Sequence, residues 1–398
     1  MLTQKINQND DILSIKAKNT PPSLIRALLK VTQDEKIISF GGGLPNPISF
    51  PEKELSDSMR NVVRDFGSKV FQYSITAGLP QLREYLAQRY NTKFNMGITP
   101  EDIIITTGSQ QALDLLAKVL LNENDNILIE KPGYLGAIQA FSQYNPTFNP
   151  IELENNGLNI DKLEELLKNK KIKFGYVVPN FQNPTGITYS QKKRDKIFEL
   201  MERHKFVLIE DDPYGELRFE GKSLPYIGGC KNQYSIVLGS FSKIITPGMR
   251  LGYIICKNKE ILKAVNTAKE AADLHTNIFA QYVIWDYLMN NDLDKHISKI
   301  RELYKKQSSA MIDAIKQYFP KNIKYTVPEG GMFMWVTLPK GQSAIKLFYK
   351  AIDNKVAFVP GDPFYVNEKD VNAMRLNYTN TPPKTIYEGI KRLSEILK

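Results

Sequence analysis

From about residue 100 onward, short apolar runs alternate with amphipathic segments. The runs at 103–107, 126–129, 174–178, 206–210, 235–238 and 251–256 are almost wholly apolar, as strands buried on both faces are. The segments 111–121, 162–169 and 191–204 carry helical periodicity. Strand–helix alternation of this kind predicts an α/β fold whose mostly parallel sheet is flanked by helices. Residues 259–318 show no strand signal and read as a long helical spine. The remainder reads as a smaller α+β domain, with strands at 325–327, 332–336, 357–359 and 374–378 and helices at 343–352 and 383–397. Pro21-Pro22 before Ser23 predicts a short helix over 23–31, followed by the connector Gly41-Gly42-Gly43-Leu44-Pro45-Asn46-Pro47. The expected organisation is an N-terminal segment, 1–50, packing with the small domain; a large domain, 51–290; and a small C-terminal domain, 291–398.

Composition narrows the class. The chain has 398 residues, 42% hydrophobic and 24% charged, enough for two domains and a large core. No apolar run approaches the roughly 20 residues that span a bilayer, and the polar N-terminus does not read as a secretory signal. Cys230 and Cys256 are the only cysteines, too few for a disulfide framework or a usual metal site, so a reducing cytoplasm is expected. The net charge of +10 comes from lysines spread along the chain, which points to a solvated surface, not to nucleic acid. The three histidines are scattered. His204 and His296 lie in charged helical stretches and read as surface residues.

The polar motifs fall just after the strand signals, where α/β sheets bind ligands. Ser240-Phe241-Ser242-Lys243 is followed by Arg250 and Gly252. Two hydroxyls and a guanidinium suit a phosphate group, and a lysine among them is placed to form an imine with a phosphorylated aldehyde. That is what pyridoxal 5'-phosphate (PLP) chemistry requires. Gly108-Ser109-Gln110 ends a strand and opens a helix, which makes either an anion site or a plain N-cap. Asp211 and Tyr214, spaced D-x-x-Y, put a carboxylate and a phenol on one side of a ring, or else form an acidic turn. Such a carboxylate would keep a pyridine nitrogen protonated. Asn183, in Asn183-Pro184-Thr185-Gly186, offers an amide to a ring oxygen or simply a turn. Tyr134 stacks on a cofactor ring or fills the core. Arg375, in a strand-like run, is a bidentate fork for a carboxylate or half of a structural ion pair.

In this order, with Tyr73 ahead of them, the motifs resemble the fold-type I PLP enzymes, and among them the class I aminotransferases, over nearly the whole chain. Ile38 to Pro45, Gly108 to Leu113, Glu210 to Tyr214 and Pro360-Gly361 resemble the 2-aminoadipate/kynurenine aminotransferase group, near the archaeal aromatic aminotransferases. The resemblance implies that Lys243 holds the cofactor and moves the proton. It implies that Asp211 faces the pyridine nitrogen, that Tyr214 and Asn183 hold the ring oxygen, and that Tyr134 stacks on the ring. Ser109, Gln110, Ser240, Ser242 and Arg250 would cradle the phosphate, with Tyr73 reaching in from the partner of a homodimer. Arg375, Asn183 and the Gly42-Gly43 backbone would hold the substrate carboxylate. Arg26 would meet a distal carboxylate of glutamate or 2-aminoadipate, while aromatic and branched-chain donors stay open. The implied activity moves an amino group from an L-amino acid to a 2-oxo acid, such as 2-oxoglutarate. The rival readings are a PLP lyase, decarboxylase or racemase, and a PLP-binding regulator. About forty residues precede Gly41, too few for the winged helix such regulators carry.

Overall fold

The computed structural model describes residues 12–19, 34 and 36–397. The helix predicted over 23–31, with Ser23 and Arg26, lies outside the described residues. The large sheet has eight strands, in the order Ile103–Thr106, Gly252–Cys256, Ser235–Ser240, Val207–Asp211, Phe174–Val177, Asn126–Lys131, Thr147–Glu154, Gly157–Leu158. From Ser235–Ser240 through Thr147–Glu154 every pairing is parallel. Gly252–Cys256 runs antiparallel to both its neighbours. The central strands are buried along their whole length, which accounts for their continuous apolar character. Thr147–Glu154 gave no such signal. Pro150 interrupts it, and only Asn149 and Ile151 are buried along it. It is the last long strand, paired on its outer side at Leu153 and Glu154 alone, where a proline costs little.

The helical region 259–318 is three helices, Lys259–Asp273, Ile278–Asn290 and Leu293–Tyr318. Each begins at an Asn or Asp whose side chain accepts from a first-turn backbone N–H: Asn258, Asn277 and Asp292. Those caps satisfy otherwise unpaired donors and set the breaks. His296 sits in the first turn of the third helix, half-buried edge-on to Tyr287 of the second, and His204 is also half-buried. His296 is not the surface residue that its charged neighbours suggest, because it faces Tyr287 from the inner side of an amphipathic helix.

The smaller sheet is antiparallel, in the order Lys324–Tyr325, Phe333–Thr337, Ala373–Asn377, Val359–Pro360. Arg375 pairs with Trp335 on one side and Val359 on the other, so it is held in a central strand. Ile38–Ser39 runs parallel to Val356–Ala357. Phe40 N–H donates to Ala357 O at 2.8 Å, and Asn377 N–H donates to Phe40 O at 2.8 Å. The glycine connector is thereby tied to the smaller sheet at the residue where it begins. Among the described residues no helix is long and apolar enough to cross a membrane.

Candidate active site

Register brings the motifs to one end of the large sheet. Thr106 and Ser240 both pair with Gly252. The ends of Ile103–Thr106 and Ser235–Ser240 therefore lie beside the start of Gly252–Cys256, together with Ser109, Ser242 and Arg250. The parallel strands ending at Lys131, Val177 and Asp211 deliver Tyr134, Asn183 and Tyr214 to the same edge. There they line a cavity of about 580 Å³, with Gly43, Ser109, Gln110, Ser240, Ser242, Lys243, Arg250 and Arg375.

At one side of the cavity, Gly108–Leu120 begins with Ser109 in its first turn, where backbone N–H groups lack intrahelical partners. The Ser109 hydroxyl is buried with no hydrogen-bond partner among the described residues. Arg250 packs against this turn. A β-carbon on Gly108, whose φ is +74°, would lie 2.6 Å from its guanidinium, so only glycine lets the two approach. Ser242 N–H donates to the Ser240 hydroxyl at 3.1 Å. The Gln110 amide donates to Gly136 O at 2.9 Å, so its side chain braces the helix against the 134–136 turn. Hydroxyls, free N–H groups and a guanidinium around one point make an anion cradle.

On the opposite wall, Asp211 is 2% exposed. Its Oδ2 accepts from Tyr176 Oη at 2.8 Å, while Oδ1 is buried without a partner. Burial pushes the carboxyl up to about 7, and Asp212 and Glu130 push it the same way against the Tyr176 hydrogen bond. An acceptor this deep without a donor is costly, and a protonated pyridine nitrogen is the donor it fits. Asn183 Nδ2 donates to Tyr214 Oη at 3.4 Å. Burial raises both phenols, Tyr134 to about 12.

Lys243 Nζ donates to Gly43 O at 2.8 Å. Burial lowers its amine to about 8, helped by the positive charges of Arg375 and Arg250. Arg375 is 3% exposed, with no carboxylate partner among the described residues. Nη1 donates to Asn183 Oδ1 at 2.9 Å, Nη2 to Gly41 O at 2.8 Å, and Nε has no partner among the described residues. Its guanidinium lies 4.3 Å from the Phe333 ring centroid and 5.3 Å from that of Phe364. Burial depresses it to about 10, which still leaves it cationic at neutral pH. Among the described residues the structural ion pair is thus absent, and the fork is held by neutral acceptors and aromatic faces. An anion cradle, an unpartnered carboxylate oxygen, an amine and a free cation in one cavity fit a phosphorylated pyridine aldehyde and a carboxylate substrate.

Tyr73 is not in this cavity. It is 78% exposed and meets the His275 ring edge-on. Tyr176 and Phe333 were not anticipated as site residues. Tyr176 was hidden in an apolar strand run, where its hydroxyl was the one polar signal, and the role of Phe333 depends on a cross-strand register that spacing does not reveal.

Residues 49–393 match the family model "Aminotransferase class I and II". The chain is 41% identical over 391 residues to the aromatic-amino-acid aminotransferase 1 of Thermococcus litoralis, covering 97% of this chain and 94% of that protein. It is 40% identical over 380 residues to the 2-aminoadipate transaminase of Thermus thermophilus, covering 94% of each. The crystal structure of Pyrococcus horikoshii kynurenine aminotransferase in complex with PMP superposes with a TM-score of 0.94 at 42% identity, over 98% of each chain. The chain belongs to the class I and II aminotransferases, and its cofactor is pyridoxal 5'-phosphate.

Proposed function

We propose that this aminotransferase takes the amino group of an L-amino acid, aromatic or of the 2-aminoadipate and glutamate type, and passes it to a 2-oxo acid, with 2-oxoglutarate as the acceptor. The observation that carries this reading is the buried Arg375–Asn183 fork, free of any carboxylate partner among the described residues, in the cavity that also holds Lys243. A guanidinium held planar by Asn183 and Gly41 is preorganised for a carboxylate. Such a clamp orients the substrate's α-carbon toward the amine, which is the entropic part of catalysis. The apolar wall of Leu44, Leu135, Pro247 and Phe333 supports an aromatic or aliphatic substrate side chain. The similarity to enzymes named for aromatic amino acids and 2-aminoadipate supports the same donor classes.

When bound, the cofactor supplies an aldehyde that captures the amino group and a ring that accepts the electron pair released at the α-carbon. Lys243, lowered toward neutrality, would hold the cofactor through its amine and, once displaced by the substrate's amino group, would take the α-proton and return it. Asp211 Oδ1 would hold the pyridine nitrogen protonated, and Asn183 with Tyr214 would hold the ring oxygen. Tyr134 would cover the ring face. Ser109, Ser240, Ser242 and Arg250 would hold the phosphate, with Gln110 in the same helix turn. Residues 51–290 form the cofactor domain, 291–398 the smaller domain, and 1–50 a segment packing with the latter.

The working unit is a cytoplasmic homodimer with shared sites. Supporting this, Tyr73 and its neighbours Phe71 and Ile75 are all large apolar side chains left exposed, the latter two by 69% and 52%, as residues awaiting an interface are. Mixing Lys243→Ala chains with Tyr73→Ala chains should restore activity, since the mixed dimer holds one whole site of two. Random pairing gives about a quarter of wild-type turnover. No recovery would confine each site to one chain.

The function itself is tested by the absorbance of the holoenzyme with one amino donor and no acceptor. Conversion to the pyridoxamine spectrum with glutamate, 2-aminoadipate or phenylalanine is expected. A spectrum unmoved by all three would reject the donor classes proposed.

A further inference from the structure

Glu130 lies near the end of strand Asn126–Lys131 and is 1% exposed, with no cation paired to it among the described residues. The neighbouring Lys131 turns outward to Glu152 and Glu368. Glu130 Oε1 accepts from Val178 N–H at 3.0 Å and from Tyr189 Oη at 2.6 Å, and Oε2 accepts from Gln182 Nε2 at 2.9 Å. Gln182 is fully buried and uses its whole amide. Its Nε2 also donates to Pro132 O at 2.9 Å, and its Oε1 accepts from Thr185 N–H at 2.9 Å and Thr185 Oγ1 at 2.7 Å. Thr185 O in turn accepts from Thr326 Oγ1 at 2.7 Å, beside the smaller sheet.

Two loops are therefore pinned at one point. One, through Pro132, leads to Tyr134. The other, 182–185, carries Asn183, which touches both Arg375 and Tyr214. A lone buried carboxylate is costly, and an apolar side chain would fill its space more stably. What an apolar residue would not do is fix the amide of Gln182.

We propose that Glu130, acting through Gln182, is a positioning residue that sets Asn183 for the substrate carboxylate and Tyr134 for the cofactor ring. The proposal rests on the functional reading above for what Asn183 and Tyr134 do. The hydrogen-bonding groups that contact Glu130, namely Val178 N–H, Tyr189 Oη and Gln182 Nε2, all act as donors. A carboxylate only accepts and suits them all. A protonated carboxyl must aim its own O–H among donors, which loosens the clamp. Burial pushes Glu130 up to about 7, against the three hydrogen bonds. The other ionisable groups that sense it are Tyr176 and the Asp211 carboxylate. Arg194 and Glu210 act on Tyr189. Activity therefore falls as pH drops through neutrality.

The test is Glu130→Gln in the holoenzyme. The amide oxygen still accepts from Val178 and Tyr189, but its NH₂ opposes the Gln182 donor. KM for donor and oxo acid should rise about ten- to a hundredfold, with kcat changed far less, as misplacement of a binding group produces. The acid limb of kcat/KM near neutral pH should lose the contribution of Glu130 and keep only that set by Lys243 and Asp211. Cofactor retention on dialysis should weaken, because Tyr134 shares the clamp. Gln182→Met breaks the link from the other side and should reproduce all three effects, so a Glu130 variant that fails to fold leaves the proposal open to refutation. Wild-type KM, acid limb and retention in either folded variant would overturn the proposal. A wild-type enzyme inert toward every donor would instead reject the functional reading, and cofactor retention in the variants would still decide the role of Glu130.

Discussion

Replacing Lys243 by alanine is expected to abolish transamination, by at least about 10⁴-fold, the upper range for loss of a positioned acid–base group, while the chain still folds and binds the cofactor. The expectation follows from what else lines the cavity. Lys243 is the only amine among the described lining residues. The phenols of Tyr134 and Tyr214 are raised by burial and stay protonated at neutral pH. Asp211 stands at the ring-nitrogen wall, bonded to Tyr176. Among the described lining residues no other group is placed to carry the proton. Folding survives because the amine's hydrogen bond is to a single backbone carbonyl of the half-buried connector, Gly43 O. With the lysine in place, the depression of its pKa to about 8 has a measurable sign. The protonated amine is inert and the free amine attacks, so covalent uptake of cofactor by the apoenzyme should speed up as pH rises through about 8. Near-wild-type turnover in Lys243→Ala would sink the assignment. Uptake that ignores pH would mean that burial and the two arginines do not bring the amine's titration near 8.

The strands of the large sheet were legible because burial on both faces leaves a continuous apolar run. Val207–Asp211 and Ser235–Ser240 lie close to where those runs fall. Thr147–Glu154 was not, since a peripheral strand tolerates Pro150 and buries only two residues. The helical spine was legible as helix but not as three helices, because Asn258, Asn277 and Asp292 are weak punctuation until their side chains are seen to cap. At the site, residues that follow strands were legible in order, since parallel strands deliver their ends to one edge. Arg375 could be read only as a fork or an ion pair. Choosing between them required knowing that the groups facing it are Asn183 Oδ1, Gly41 O and two phenyl rings. The Glu130–Gln182 link was invisible for the same reason: its residues are 52 positions apart and meet only through the fold.

Asp211→Asn is expected to act with opposite signs in the two forms of the enzyme. In the cofactor-free chain the carboxylate has one donor, Tyr176, and a bare Oδ1 in a buried wall. Its pKa is raised from 3.8 to about 7. A carboxyl raised on folding penalises the folded state above the folded pKa, and the penalty is relieved as pH falls from about 7 toward 4. The asparagine variant removes that charge, so the apoenzyme should melt higher than wild type at pH 8, with the difference shrinking toward pH 5. In the holoenzyme the sign reverses. There, on the proposed function, Oδ1 would face the pyridinium N–H, an opposite-charge contact in a low-dielectric wall. An amide loses that charge, so cofactor should dissociate faster, and proton transfer should slow by about 10²- to 10³-fold, the usual cost of removing one preorganised electrostatic contact. Melting curves of both forms at both pH values, with the single-turnover rate, measure all of this. Destabilisation of both forms would mean that Asp211 is held by the protein for its own structure and that Oδ1 does not await a cation.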